Sequence, residues 1–202
     1  MISTEQLSYW TGYWGDEYLK YNDHNIESFI PFWREILSNT DYVDSILEVG
    51  CNIGMNLSTI NIVYPDIELT GIEPFKGAVE IARERLPEAN IIQGNGFELP
   101  FDDNSFDFSC SLGVMIHIAK EHLQMYIDEL IRVSKRYILI YEYQIEGGEE
   151  GKSRPDLKGY VWKRNYRDMV SDSLNLKPFV EGSWWDGETK WYLFDKENAE
   201  KK

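Results

Sequence analysis

The stretch Ser45-Ile-Leu-Glu-Val-Gly-Cys-Asn-Ile-Gly-Met55 decides the fold class. Its apolar start, which contains the acidic Glu48, predicts a buried strand. Gly50 and Gly54 then bracket a tight turn, and the residues that follow have the pattern of a helix. Such a turn brings the backbone close to a ligand at a helix N-terminus, with a carboxylate nearby to accept hydrogen bonds from hydroxyl groups. The stretch therefore predicts a nucleotide-type binding site.

The spacing of the glycines separates two classes of cofactor site. A dinucleotide fingerprint needs glycine at the first, third and sixth positions of the turn. Counted from Gly50, the third position holds Asn52 and the sixth holds Met55, so two of the three positions do not match. Asparagine adopts positive φ more readily than most residues, so we expect the turn to tolerate Asn52. An ordinary strand–turn–helix of an α/β protein is the alternative interpretation.

A second acidic residue follows at the distance expected for a ribose ligand. Glu68-Leu-Thr-Gly-Ile-Glu73 predicts a short strand that ends in a carboxylate. Nucleotide-binding folds place such a carboxylate on the ribose hydroxyls about 20 residues after the glycine turn. A solvated glutamate at a strand end is the alternative. Because a new helix is predicted directly after Glu73, the ligand-binding interpretation is favoured.

The composition sets bounds on size and partners. The chain has 202 residues, 43% of them hydrophobic, which is enough for one α/β domain with a sizeable core. Its net charge of -15 argues against a nucleic-acid partner, although a local cluster of Arg and Lys still permits an anionic small substrate. Cys51 and Cys110 lack the spacing of metal ligands, and no apolar run approaches the ~18 residues of a membrane span. We expect a cytoplasmic protein with no metal.

Strands and helices alternate through the middle of the chain. The predicted strands are 45–50, 68–73, 90–94, 106–112 and 136–143, and the predicted helices are 53–64, 75–86 and 119–133. This alternation predicts a parallel sheet with helices on both faces. Residues 145–160 are interpreted as a loop and 163–173 as a short helix. Strands at 176–184 and 189–195, joined through an Asp-Gly pair, predict a terminal antiparallel hairpin.

The first forty residues differ in composition. Residues 1–23 are rich in aromatic residues and glycine and fit no regular amphipathic element, whereas 25–38 predict a helix. We interpret 1–40 as an aromatic lid and a helix, and 41–202 as the main domain, the two forming a single compact domain overall. A lid would exclude water from a site. Packing of these aromatic side chains into the core is the alternative.

The glycine turn and the acid at Glu73 resemble the corresponding segments of the class I S-adenosylmethionine (SAM) methyltransferases. Motif I of that family is an acid followed by G-x-G-x-G, which stands here as Glu48-Val-Gly-Cys-Asn-Ile-Gly54 with asparagine as the middle residue. Over nearly the whole chain, the closer resemblance is to methyltransferases associated with pseudaminic acid biosynthesis, in which an asparagine in this turn is usual. The segments that carry it are 10–18, 47–57, 112–118 and 134–143.

The resemblance implies a Rossmann-like class I methyltransferase fold, which is an α/β fold with a mostly parallel seven-stranded sheet, a C-terminal antiparallel hairpin and helices on both faces. It implies methyl transfer from SAM, with S-adenosylhomocysteine as product. O-methylation of a small anionic acceptor, an acidic sugar or a nucleotide-sugar-related compound, is favoured. N- or carboxyl-methylation of another metabolite and a non-catalytic, regulatory SAM-binding role remain alternatives.

The resemblance also assigns residues to the cofactor. The turn after the first strand lies along the methionine and ribose, Glu73 holds the ribose, and Phe75 covers the adenine. The end of the third strand meets the adenine amino edge, although Asn95 could equally be a turn asparagine. The cofactor-binding residues assigned in this way are Glu48, Gly50, Cys51, Asn52, Gly54, Glu73, Phe75, Asn95, Gly96, Phe97 and Leu112.

The residues for the acceptor come from later segments. His117, just beyond the fourth strand, is the candidate general base for an acceptor hydroxyl, and a packed neutral imidazole is the alternative. Glu142, at the end of the fifth strand, competes for the catalytic role. Arginine in a basic run within 154–167 suits bidentate recognition of an acid, whereas a solvated face is the alternative. The candidate substrate-binding residues are Trp14, Tyr18, Tyr143, Arg154 and Arg164.

Overall fold

The computed structural model of the chain describes residues 4–12, 15, 19, 25–145, 151–152, 161–184 and 189–198. The chain divides into two units, Met1–Leu99 and Pro100–Lys202. The sequence predicts instead a boundary at residue 40, between an aromatic lid with its helix and the main domain. That boundary stays a prediction.

The first unit begins with helices. Helix α1 (Glu5–Trp10) lies within residues 1–23, where the sequence predicts no amphipathic element, and none of its residues is buried. The Thr4 hydroxyl oxygen accepts the Leu7 N–H at 3.0 Å, so a local N-cap, rather than an apolar stripe, starts this helix. The helix predicted at 25–38 is divided into a 3-10 turn (Ile26–Phe29) and α2 (Ile30–Ser38). Pro31 lies in the first turn of α2, where its missing N–H costs no hydrogen bond.

The rest of this unit alternates as predicted. Its elements are β1 (Ser45–Val49), α3 (Met55–Val63), β2 (Glu68–Glu73), α4 (Lys76–Arg85) and β3 (Asn90–Gln93). The strands are parallel, in the order β3-β2-β1. Ile46, Leu47 and Ile72 are fully buried in the strands. Their apolar side chains on both faces of the strands are typical of a parallel sheet covered by helices.

The second unit holds the remaining elements. They are β4 (Phe106–Leu112), α5 (Lys120–Val133), β5 (Ser134–Tyr143), β6 (Gly151–Lys152), β7 (Trp162–Lys163), α6 (Tyr166–Leu174), β8 (Val180–Trp184) and β9 (Thr189–Asp195), with 3-10 turns at Met115–His117 and Lys196–Asn198. Strand β4 is parallel to β5, and β9 is antiparallel to both β5 and β8. The order is β4-β5-β9-β8. Strand β6 lies within 145–160, which the sequence predicts as a loop, and it pairs with β7, which follows that range. Lys163, the first residue of the helix predicted at 163–173, belongs to β7 instead.

The prediction of a mostly parallel seven-stranded sheet with a C-terminal antiparallel hairpin is confirmed. The hairpin connection at 185–188 lies outside the described residues. Ile138, Leu139 and Ile140 of β5 are completely buried, so this strand lies in the core. Within the described ranges, no helix has both the length and the apolar character that crossing a membrane requires.

Candidate functional site

The turn after β1 has a backbone that few residue types can adopt. The φ angles of Gly50, Asn52 and Gly54 are 84°, 48° and 75°, so all three lie in the left-handed region. The Asn52 side-chain oxygen accepts the Ile53 N–H at 2.8 Å, which stabilises this conformation locally. The expectation that asparagine can replace glycine in the middle of the turn is thus met by its geometry.

Strand β2 fixes the position of the turn. The N–H groups of Gly50 and Cys51 both donate to the carbonyl oxygen of Ile72, at 2.8 and 3.0 Å. A Cβ atom on Gly71 would lie 2.6 Å from the Cys51 sulfur, so β2 needs glycine where the turn packs against it. Burial raises the pKa of the Cys51 thiol, and nearby carboxylates add to the rise. This thiol is therefore neutral and unreactive near neutral pH.

Glu73, at the end of β2, links the turn to the next helix. Its carboxylate accepts the Asn52 N–H at 3.0 Å on one oxygen and the Phe75 N–H at 2.9 Å on the other. Burial raises the pKa of this carboxyl to about 7, while the two backbone donors pull it back. Because each carboxylate oxygen can accept more than one hydrogen bond, Glu73 retains capacity for ligand hydroxyl groups.

Glu48 is buried within β1, and only one of its two carboxylate oxygens has a hydrogen-bond donor among the described residues. Its Oε1 accepts a hydrogen bond from Asn56 Nδ2 at 2.7 Å, and its buried Oε2 has no hydrogen-bond partner in the described part of the chain. Burial raises the pKa of this carboxyl to about 8. A buried acceptor without a donor costs roughly 1–3 kcal/mol, so this oxygen fits a ligand that brings a donor.

Neither Glu48 nor Glu73 forms an ion pair within the described residues. Two buried carboxylates near one turn without a protein cation favour a ligand that carries positive charge. The turn therefore fits a cofactor with a cationic group and hydroxyl groups.

The predicted adenine contacts follow the ends of β2 and β3. Phe75 is half-buried at the start of α4, and a Cβ atom on Gly15 would lie 3.0 Å from its ring, so the N-terminal segment packs against it. Asn95 is buried, and its Oδ1 accepts the Phe97 N–H at 3.0 Å across the buried Gly96. This contact is the one that a turn asparagine makes, and an adenine contact for Asn95 stays a prediction.

In the second unit, the segment after β4 is a 3-10 turn held by a buried carboxylate. Strand β4 ends at Leu112, and the N–H groups of Val114 and Met115 donate to Glu142 Oε1 at 3.0 and 2.8 Å. Burial raises the pKa of Glu142 to about 8, although these donors oppose the rise. The catalytic role of Glu142 stays a prediction, and its two contacts with the turn support a positioning role as well.

The other end of the same turn is held by a buried cation. Arg164 Nη1 donates to the Ile118 carbonyl oxygen at 2.8 Å, and its guanidinium lies 4.9 Å from the Trp162 ring centroid. Arg164 is only 4% exposed, so its contacts are internal rather than those of a surface patch. His117 lies between these two contacts and is half-buried. Neither contact can be predicted from the sequence, because each joins a side chain to a backbone group that is 28 or 46 residues away in the chain.

The other described members of the basic run also contact protein groups. Lys163 Nζ lies 5.6 Å from the Tyr143 ring centroid, and Arg167 Nε lies 2.8 Å from Glu181 Oε2. Trp14, Tyr18 and Arg154, which were predicted to contact the acceptor, lie outside the described residues. No cluster of three or more side chains suited to a metal ion was found in the described ranges.

Comparison with known proteins agrees with this geometry. The Methyltransferase domain family matches residues 46–136, which include the glycine turn. Demethylmenaquinone methyltransferase from Listeria welshimeri serovar 6b is 26% identical over 161 residues, which cover 72% of this chain and 62% of the relative. The tRNA (carboxymethyluridine(34)-5-O)-methyltransferase of Saccharomyces cerevisiae is 30% identical over 105 residues, covering 50% and 36%. The chain thus matches less than two thirds of the length of either relative.

The fold is also found among solved structures. Magnesium protoporphyrin IX methyltransferase from Synechocystis PCC 6803, solved with bound SAM, superposes with a TM-score of 0.68 at 13% identity and covers 96% of this chain and 99% of that chain. At this identity the likeness establishes a shared fold.

Proposed function

We propose that this chain is a SAM-dependent methyltransferase that acts on a small molecule. The observation that carries the proposal is the left-handed turn of Gly50, Asn52 and Gly54 beside the two buried carboxylates of Glu48 and Glu73. SAM combines a sulfonium, an ammonium and ribose hydroxyl groups, which complement two carboxylates that form no ion pair within the described residues. The match to the Methyltransferase domain family covers this turn and supports the proposal independently.

We assign the cofactor contacts as follows. Glu48 Oε2 accepts from the amino-acid end of SAM, Glu73 accepts from the ribose hydroxyls, and Phe75 lies on the adenine. SAM supplies the methyl group, and the chain binds and orients the acceptor in line with it. No metal is part of this proposal.

For the acceptor, we propose O-methylation of an acidic sugar or a nucleotide-sugar-related compound. The motif resemblance supports this class, and the net charge of -15 favours a small molecule over tRNA. His117 is the proposed general base. Three basic residues of the run contact protein groups, namely Lys163, Arg164 and Arg167. Among the predicted substrate-binding residues, Arg154 is therefore the one that we propose binds the acidic group of the acceptor.

A non-catalytic SAM-binding protein is the second candidate. The observation that favours it is that Glu142, one of the two candidate catalytic residues, is engaged by the backbone N–H groups of Val114 and Met115. His117 then becomes the residue that distinguishes the two candidates.

The test has two stages. Titration calorimetry with SAM and S-adenosylhomocysteine should show stoichiometric binding. Incubation with SAM and a panel of acidic sugars, CMP- and UDP-activated sugars, neutral sugars and amines should then produce S-adenosylhomocysteine and a methylated acidic product. His117→Ala should lower this rate about 100-fold or more, with SAM affinity unchanged. Binding of SAM with no turnover on any acceptor would favour the non-catalytic candidate, and failure to bind SAM would refute the proposal.

A further inference from the structure

Two consecutive hydrogen bonds connect helix α2 to the Glu48 carboxylate in β1. The indole Nε1 of Trp33, in α2, donates to Asn56 Oδ1 at 3.3 Å. Asn56 Nδ2, in the first turn of α3, donates in turn to Glu48 Oε1 at 2.7 Å. Trp33 is fully buried and Glu48 is 1% exposed, so the first and last residues of this hydrogen-bonded series lie in the core. None of these contacts was predicted from the sequence.

The chemistry of Trp33, Asn56 and Glu48 allows these two hydrogen bonds to run in only one direction, from the indole to the carboxylate. An indole N–H can only donate, so Trp33 selects the oxygen of the Asn56 amide and turns its nitrogen toward Glu48. With Oε1 held in this way, the rotation of the Glu48 carboxylate is fixed. The remaining oxygen, Oε2, is the buried atom without a partner among the described residues.

We propose that Asn56, oriented by Trp33, is a positioning residue that directs Glu48 Oε2 toward the cationic amino group of the cofactor. This inference rests on the proposed function. A donor hydrogen bond favours the charged form of a carboxylate, and the bond from Asn56 opposes the rise in the pKa of Glu48 that burial causes. The bond therefore favours the ionised form that a cation requires.

Asn56→Asp tests the link most directly, because it keeps the oxygen that faces Trp33 and removes the nitrogen that donates to Glu48. Asn61→Asp is the matched control, since it introduces the same charge at an exposed position of the same helix. Trp33→Phe keeps an aromatic ring and removes only the donor. Each variant is titrated with SAM and with 5′-methylthioadenosine, which has the same adenosine but lacks the amino-acid end.

We expect Asn56→Asp to weaken SAM binding about 10- to 100-fold and to change 5′-methylthioadenosine binding less than about threefold. Trp33→Phe should weaken SAM binding about two- to fivefold, and the double variant should bind SAM no more weakly than Asn56→Asp, because both act through one contact. Asn61→Asp should bind both ligands as the wild type does.

Unchanged SAM affinity in Asn56→Asp would overturn the inference, and so would an equal loss for both ligands, since the residue would then act on the whole pocket. Should thermal unfolding show that Asn56→Asp is not folded, Trp33→Phe decides by the same comparison of the two ligands. A wild-type protein that does not bind SAM refutes the proposed function instead, so the two failures are distinguishable.

Discussion

Two segments of the molecule follow a parallel strand and are held in the same way. In the turn after β1, Glu73 accepts the N–H groups of Asn52 and Phe75. In the turn after β4, Glu142 accepts the N–H groups of Val114 and Met115. In each case a buried carboxylate from a later strand satisfies backbone donors that would otherwise be unpaired.

The two segments differ in what specifies their shape. The first depends on residue types that tolerate positive φ, which are Gly50, Asn52 and Gly54. The second depends on side chains far away in sequence, since the bonds from Val114 to Glu142 and from Arg164 to Ile118 span 28 and 46 residues. The comparison teaches that a site made by backbone conformation is visible in a sequence, whereas a site made by distant side chains is not.

The largest expected effect concerns the first segment. Gly54→Asp places a side chain at a φ of 75°, where a Cβ would lie 3.2 Å from Leu86 Cδ1, and adds a carboxylate at the start of α3. We expect SAM affinity to fall more than about 100-fold in calorimetric titration, through strain and steric block. Asn61→Asp, exposed on the same helix, should bind SAM normally. If Gly54→Asp bound SAM with wild-type affinity, the turn would not be part of the cofactor site.

For the second segment, the expected effect is on stability. Glu142→Ala leaves the N–H groups of Val114 and Met115 buried without an acceptor, which should cost about 2–4 kcal/mol of unfolding free energy. Glu142→Gln keeps an acceptor oxygen and should cost about 1 kcal/mol or less. Denaturant unfolding measures both values. Equal losses in the two variants would show that the hydrogen bonds to the turn are not what stabilises it.

The pH dependence of stability should involve both segments. The pKa values of Glu48, Glu73 and Glu142 are raised by burial to about 8, 7 and 8, so between about pH 4.5 and 8 the folded state binds more protons than the unfolded state. The stability that these three groups contribute should therefore be fully present below about pH 4.5 and be lost as the pH rises through 7 to 8.

We expect the melting temperature of the ligand-free protein to fall by more than about 5 °C between pH 5 and pH 8. Glu73→Gln and Glu142→Gln should each flatten this decrease, because each removes one titrating group. A melting temperature that stays constant or rises over this range would contradict the burial of uncompensated carboxyl groups in both segments.

The smallest effect is expected at the middle of the glycine turn. Asn52→Gly keeps access to positive φ but loses the acceptor for the Ile53 N–H, so SAM affinity should change less than about threefold. Asn52→Val, which introduces β-branching at a φ of 48°, should cost about 1–2 kcal/mol of stability. Comparable stability of the two variants would show that φ at this position is not the constraint.

Particular residues show how far the sequence could be interpreted. The strand at 68–73 was predicted to its residue bounds, because its apolar run is bounded by turn signals. Helix α1 was missed, because its start depends on a single bond to the Thr4 side chain rather than on apolar periodicity. Arg164 was predicted to contact the substrate from its charge alone, and only tertiary structure reveals its buried contact with Ile118.

Calorimetric titration of the wild-type protein with SAM, S-adenosylhomocysteine and NAD tests the central claim most directly. The buried carboxylates beside the left-handed turn predict one site for SAM and its product, and no measurable binding of NAD, because the turn lacks two of the three dinucleotide glycines. Binding of NAD without binding of SAM would contradict the account.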